Sequence, residues 1–142
     1  MQIRKIDETI SVAPQITADE VAEIARLGFR TLVANRPDGE EFGQPAMSEL
    51  EAAAEEHGLQ WVYLPVQSGH ITDEDVARFA PMMQAAEKPI LAFCRSGTRC
   101  TVLWALSAVR EQEPQAVLSR AHNAGYDITG LLPRLLQHAG QK

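Results

Sequence analysis

Residues 89–106 read P-I-L-A-F-C-R-S-G-T-R-C-T-V-L-W-A-L, and this segment limits the fold more than any other in the chain. Pro89 to Phe93 carries no polar side chain. Strands that are apolar on both faces are those buried in the middle of a parallel sheet. Cys94 to Arg99 then reads as a turn, and Cys100 to Val109 as an apolar helix. A buried strand, a tight turn and a helix form part of a βαβ unit, which requires helices layered on a mostly parallel sheet.

The rest of the chain fits that class. Ile3 to Val12 reads as an early strand or hairpin ended by Pro14. Thr17 and Glu20 have the spacing of a capping box, and the helix they open closes at Gly28. Phe29 to Ala34 reads as a strand, and Asn35 to Glu41 as a turn-rich loop. A helix over Ser48–His57 ends at Gly58, and Trp61 to Val66 reads as the next strand. Thr72 begins another helix, with Asp73, Glu74 and Asp75 in its first turn, where the helix dipole favours anions. Pro81 falls inside this pattern, a place where proline kinks helices. The tail, residues 111–142, reads as two short helices over Gln115–Ala124 and Thr129–His138. No linker or repeat interrupts the sequence, so the expectation is one domain over residues 1–142: a mostly parallel central sheet flanked by helices.

In an open parallel sheet, ligands bind beyond the carboxyl ends of the strands, and Cys94 lies at such an end. The turn after it enters a helix N-terminus, whose free N–H groups and dipole attract anions. Gly97 permits the backbone angles that turn successive N–H groups inward as a nest. The same field lowers a thiol pKa, which predicts Cys94 as a thiolate nucleophile. Arg99 offers a planar fork that can clamp an oxyanion with two bonds.

Neighbouring residues are weaker candidates. Arg95 either receives an anionic substrate or is simply solvated. Ser96 and Thr98 either bond the bound anion or satisfy local backbone. Cys100 is a candidate resolving thiol for oxidised or persulfidated Cys94, or a packed first-turn residue. In the loop after the second strand, Arg36 is a candidate substrate contact and Asp38 a candidate to orient Arg99. His70, in the loop Gln67–His70, is a candidate acid/base. His122 and His138 stand in the tail without a partner pattern.

Composition excludes several classes. Thirteen Lys+Arg against 19 Asp+Glu leave a net charge of −6, which argues against nucleic-acid binding. The longest apolar runs fall short of the ~20 residues of a membrane helix. The opening M-Q-I-R-K-I-D-E-T-I lacks a signal-peptide core, so the chain reads as cytoplasmic. Two cysteines six positions apart make no disulfide framework, and no metal-ligand spacing occurs, so neither cofactor nor metal is expected. Oligomeric state is not legible.

Four separated motifs carry a resemblance: Ser11–Gln15, Gly28–Glu41, Leu64–Gly69 and Phe93–Arg99. Together they resemble the beta-lactamase hydrolase-like phosphatase-like domain family (DUF442) over about residues 3–110. The resemblance implies the fold of tyrosine and dual-specificity phosphatases; the family is also catalogued with sulfur transferases. C-R-S-G-T-R, with its arginine five positions after the cysteine, also looks like the active loop of rhodanese sulfurtransferases. Tyrosine-phosphatase-like enzymes place that arginine one residue later, where this chain has Cys100. They also use an aspartate on an earlier loop as general acid, and the matching loop Pro65–His70 has none. Sulfur transfer needs no such acid.

The leading expectation is therefore a sulfurtransferase forming a persulfide on Cys94, with a sulfane-sulfur or other small anionic substrate. The alternatives are a phosphatase acting on aryl or protein phosphates through a phosphocysteine, and a non-catalytic anion- or phosphopeptide-binding module.

Overall fold

The computed structural model describes residues 1–140; Gln141 and Lys142, the end of the expected domain, lie outside the described residues. The strands are β1 (Arg4–Lys5), β2 (Ile10–Ala13), β3 (Thr31–Ala34), β4 (Gln60–Tyr63) and β5 (Ile90–Phe93). The helices are α1 (Ala18–Arg26), α2 (Met47–Glu56), α3 (Asp73–Ala85), α4 (Thr98–Ala108), α5 (Pro114–Asn123) and α6 (Leu132–Ala139). A 3-10 turn over Thr129–Leu131 leads into α6.

The strands form one sheet in the order β1-β2-β5-β3-β4. β1 pairs antiparallel with β2, so of the expected strand or hairpin at the N-terminus the chain forms the hairpin; every other pairing is parallel. The apolar run Ile90–Phe93 lies between β2 and β3, buried throughout. Its side chains alternate as the pleat dictates. Ile90 and Ala92 face a core shared with Phe79, Leu103, Leu106 and Leu135, from α3, α4 and α6. Leu91 and Phe93 face a second core with Val21, Ile24 and Leu50, from α1 and α2. Helices thus cover both faces, as expected of a phosphatase-like α/β fold.

Local chemistry sets the element ends. Thr17 and Glu20 form the expected capping box at α1. Thr72 and Asp75 form a second one at α3: the Asp75 N–H donates to Thr72 Oγ1 at 3.1 Å, and the Thr72 N–H to Asp75 Oδ2 at 2.9 Å. α3 runs unbroken through Pro81. β4 stops at Tyr63, short of the expected Val66, and Pro65 brings no N–H to extend the ladder. α4 starts at Thr98, two residues before the expected Cys100, because Gly97 takes φ +93° and lets the helix begin at once. Arg99 is therefore a first-turn helical residue and not part of the turn.

The carboxyl ends of the parallel strands are stitched together. The Asn35 N–H donates to Phe93 O at 2.9 Å, the Val66 N–H to Asn35 O at 3.0 Å, and the Cys94 N–H to Ala13 O at 3.3 Å. The buried Asn35 amide donates to Leu64 O at 2.9 Å. The loops after β2, β3, β4 and β5 consequently meet at one end of the sheet.

The Thr72–Asp75 cap generates a stability prediction. Thr72→Ala should destabilise the protein by about 1 kcal/mol, the usual worth of an N-cap side chain. Urea unfolding should show a lower midpoint at an unchanged slope.

Candidate active site

Cys94 sits at the carboxyl end of the central strand with no solvent exposure. The Gly97 N–H donates to its Sγ at 3.0 Å, and the backbone N–H groups of Ser96 and Cys100 favour its thiolate as well. The strongest influence is the neighbouring Cys100 thiol. These donors hold the Cys94 pKa down to about 5 against the opposing effect of burial. Cys100 moves the other way, well above the ordinary thiol range, because it is wholly buried and adjoins the Cys94 charge. Near neutral pH the pair is one thiolate and one thiol. Both cysteines are free, and the proposed resolving thiol stands next to the nucleophile.

Arg99 is almost fully buried and projects from the first turn of α4. Its Nη1 donates to Glu40 Oε2 at 2.7 Å and to Val66 O at 3.0 Å, and its Nη2 to Glu40 Oε1 at 2.8 Å. This is a bidentate pair, which leaves Nε outside the set of bonds. Glu40 also receives Arg36 Nε at 2.8 Å, and Arg36 Nη1 donates to Gln15 Oε1 at 3.1 Å. The two guanidinium groups hold the Glu40 carboxyl down to about 2, with Arg99 the larger cause. Glu40 is thus a fixed anion and cannot serve as a general acid near neutral pH.

The expected role of Asp38 in orienting Arg99 is corrected: Glu40 performs it. Asp38 Oδ1 instead accepts the Met47 N–H at 3.3 Å at the start of α2, and its own N–H bonds the Tyr63 hydroxyl at 2.9 Å. Arg36 is buried behind Glu40 and is not among the residues lining the pocket over the loop.

That pocket holds about 590 Å³ and is walled by Arg95, Ser96, Thr98 and Arg99 on one side and by Leu131 and Arg134 on another. Arg95 is largely exposed and pairs with Glu41 at 3.2 Å. Ser96 Oγ donates to Thr98 Oγ1 at 3.1 Å, so the two hydroxyls satisfy each other while facing the pocket. Ser68, Gly69 and Ile71 line the mouth. His70 is exposed between them, its N–H in a turn to Gln67 O, and its side chain does not line the pocket.

The tail, which carried no motif, reaches the site twice. The Tyr126 hydroxyl donates to Ser96 O at 3.0 Å and fills the space over Gly97, where an added Cβ would collide with its oxygen. Gly97 is therefore required by its positive φ and by its neighbour alike. Arg134 reaches the pocket wall from α6 while pairing with Asp73 Oδ1 at 2.9 Å. His138, expected to lack a partner, also meets that oxygen, through Nε2 at 3.1 Å. Glu40, Tyr126 and Arg134 were not legible from sequence. The i,i+4 spacing of Arg36 and Glu40 is a weak signal for one of them, but nothing in the linear order brings residue 126 or 134 to the loop.

Alkylation of Cys94 by iodoacetamide should titrate with a midpoint near pH 5, falling as protonation removes the thiolate. Cys100→Ala removes the main donor and should move that midpoint upward. Cys100→Ser, which keeps an O–H donor, should move it less. An unshifted midpoint in Cys100→Ala would show that the backbone alone holds the thiolate.

Among the described residues, no helix is long and apolar enough to cross a membrane, and no cluster of potential metal ligands occurs. A Xylella fastidiosa beta-lactamase hydrolase-like protein is 35% identical over 130 residues, covering 90% of this chain and 30% of that protein. The chain thus spans about a third of the length of the curated relatives it matches. A solved Neisseria meningitidis structure, described as a candidate phosphatase, is 35% identical with a TM-score of 0.85, covering 97% of this chain and 99% of that one. Pseudomonas aeruginosa TpbA, solved in complex with phosphotyrosine, shares the fold at 20% identity and a TM-score of 0.65, over 99% of this chain and 91% of that one. The profile of the beta-lactamase hydrolase-like protein, phosphatase-like domain, matches residues 2–111, and the chain belongs to that family.

Proposed function

We propose that this chain is a cysteine-dependent phosphatase, acting on aryl or protein phosphates. The observation that carries the reading is a thiolate at a helix N-terminus, with an arginine in the first turn and an arginine-walled pocket formed by the loop residues that follow it. Cys94 Sγ attacks phosphorus, an S–P bond forms, and the bond to the leaving oxygen breaks. Water then attacks phosphorus, the S–P bond breaks, and phosphate leaves with the thiolate restored. The helix N-terminus and Arg99, through Nε, balance charge on the equatorial oxygens; one such preorganised donor is typically worth ~10²–10³ in rate. The phosphotyrosine bound by TpbA supports a phosphorylated substrate here.

No carboxyl group lines the pocket, and Glu40 is held ionised. The leaving oxygen therefore departs without a carboxylic acid to protonate it, which favours phenolate over alkoxide. His70 takes the acid role only if its side chain turns inward from its exposed position.

One observation favours sulfur transfer as a second reading: the arginine stands five residues after the cysteine, not six. In that reaction Cys94 attacks a sulfane sulfur, the donor leaves with the electron pair of the broken bond, and a thiol or cyanide takes the sulfur from the persulfide.

p-Nitrophenyl phosphate and thiosulfate separate the two. The phosphatase reading predicts phosphate release that Cys94→Ser abolishes and Arg99→Lys lowers by about 10²-fold in kcat/KM. The rate should decline as pH falls through about 5, because protonation then consumes the nucleophile. A gain of one sulfur on Cys94 after thiosulfate, with no phosphate release, would reverse the order of the two readings.

A further inference from the structure

The pocket is larger than one phosphate requires and falls in the range of small-molecule sites, ~300–1,000 Å³. Its lining holds three arginines and no carboxylate, in a chain with net charge −6. Arg99 belongs to the nucleophile loop. Arg134 does not: it comes from α6, beyond the part of the chain that matches the family profile.

Arg134 is held but not consumed. Its Nη2 donates to Asp73 Oδ1, and that carboxylate is about three-quarters exposed and stands outside the pocket lining. An ion pair with so exposed a partner is worth little, so a competing anion can replace Asp73 at small cost. Asp73 also keeps His138 Nε2 as a second partner, so it is not stranded when Arg134 turns. Leu131, one helical turn earlier, gives the same wall an apolar surface for the body of a ligand.

We propose that Arg134 is a specificity-determining residue that receives a second anionic group of the substrate, so that the favoured substrates are small aryl phosphate esters carrying another phosphate or carboxylate, with sugar phosphates serving as binding probes only. The proposal rests on the phosphate-site reading above. The first phosphate enters the Cys94 loop, the second exchanges with Asp73 for the Arg134 guanidinium, and the connecting body lies on Leu131.

The test is binding and does not depend on turnover. Cys94→Ser protein is titrated by calorimetry with fructose 6-phosphate and fructose 1,6-bisphosphate, which differ by one phosphate. The bisphosphate should bind about 10-fold tighter, a difference of ~1.4 kcal/mol. Adding Arg134→Ala should bring the ratio close to one while leaving the monophosphate within about twofold. Adding Asp73→Asn removes the competitor and should keep or widen the ratio. A ratio indifferent to Arg134→Ala overturns the proposal. So does an Asp73→Asn protein that loses the ratio as Arg134→Ala does, since the docking of α6 and not the guanidinium would then be responsible. Binding of neither sugar removes the phosphate-site reading and this proposal together, whereas binding of both at equal strength removes this proposal alone.

Discussion

Glu40 is the group on which the site depends. Two arginines, Arg36 and Arg99, are almost fully buried at the same end of the sheet, and each bonds this one carboxylate. Buried guanidinium groups need compensation, and without it the two would repel each other in a poorly solvated space. With it, the loop after β3 is tied to the first turn of α4, and through Arg36 to Gln15 after β2. Val66 O adds the loop after β4. One positive charge remains after the pairing, and the Cys94 thiolate offsets it at rest. The charges of these four groups therefore sum to near zero, in spite of their ionisation.

The two cysteines divide one proton between them by environment. Both are buried, so burial alone would raise both pKa values. Cys94 has the N–H groups of Ser96, Gly97 and Cys100 around its sulfur, whereas Cys100 is wholly buried beside the Cys94 charge. Cys100 stands at the position where the tyrosine-phosphatase-like motif has its arginine, and here it adjoins the Cys94 charge. The shorter loop does not bring Arg99 closer by stretching: Gly97 starts the helix early, and the helix itself presents the guanidinium.

The central strand, the Cys94 turn and the Thr17–Glu20 capping box were legible because each is local. Five apolar residues demand burial, and a threonine three residues before an acid can close on itself. The family resemblance was legible for the same reason, being carried by contiguous motifs. The long-range partners were not. Asp38 and Glu40 both lie in a loop rich in acids, and sequence does not reveal which carboxylate the chain turns toward Arg99. The start of α4 was misplaced by two residues because the left-handed Gly97 read as mid-turn and not as a cap. Preference for sulfur transfer rested on a spacing and on a missing acid. Both features persist in the structure, yet the arginine-walled pocket and the phosphatase-like relatives weigh toward phosphate.

Tyr126 bears on how this unit is carried in larger proteins. Its hydroxyl caps Ser96 O and packs over Gly97, although it lies 15 residues past the end of the profile match at residue 111. The stretch that defines family membership is thus shorter than the stretch that holds the reactive loop. In this chain, the segment that works as one cassette reaches at least this tyrosine. A gene fusion joined at the motif boundary would carry the nucleophile without the brace that shapes its loop.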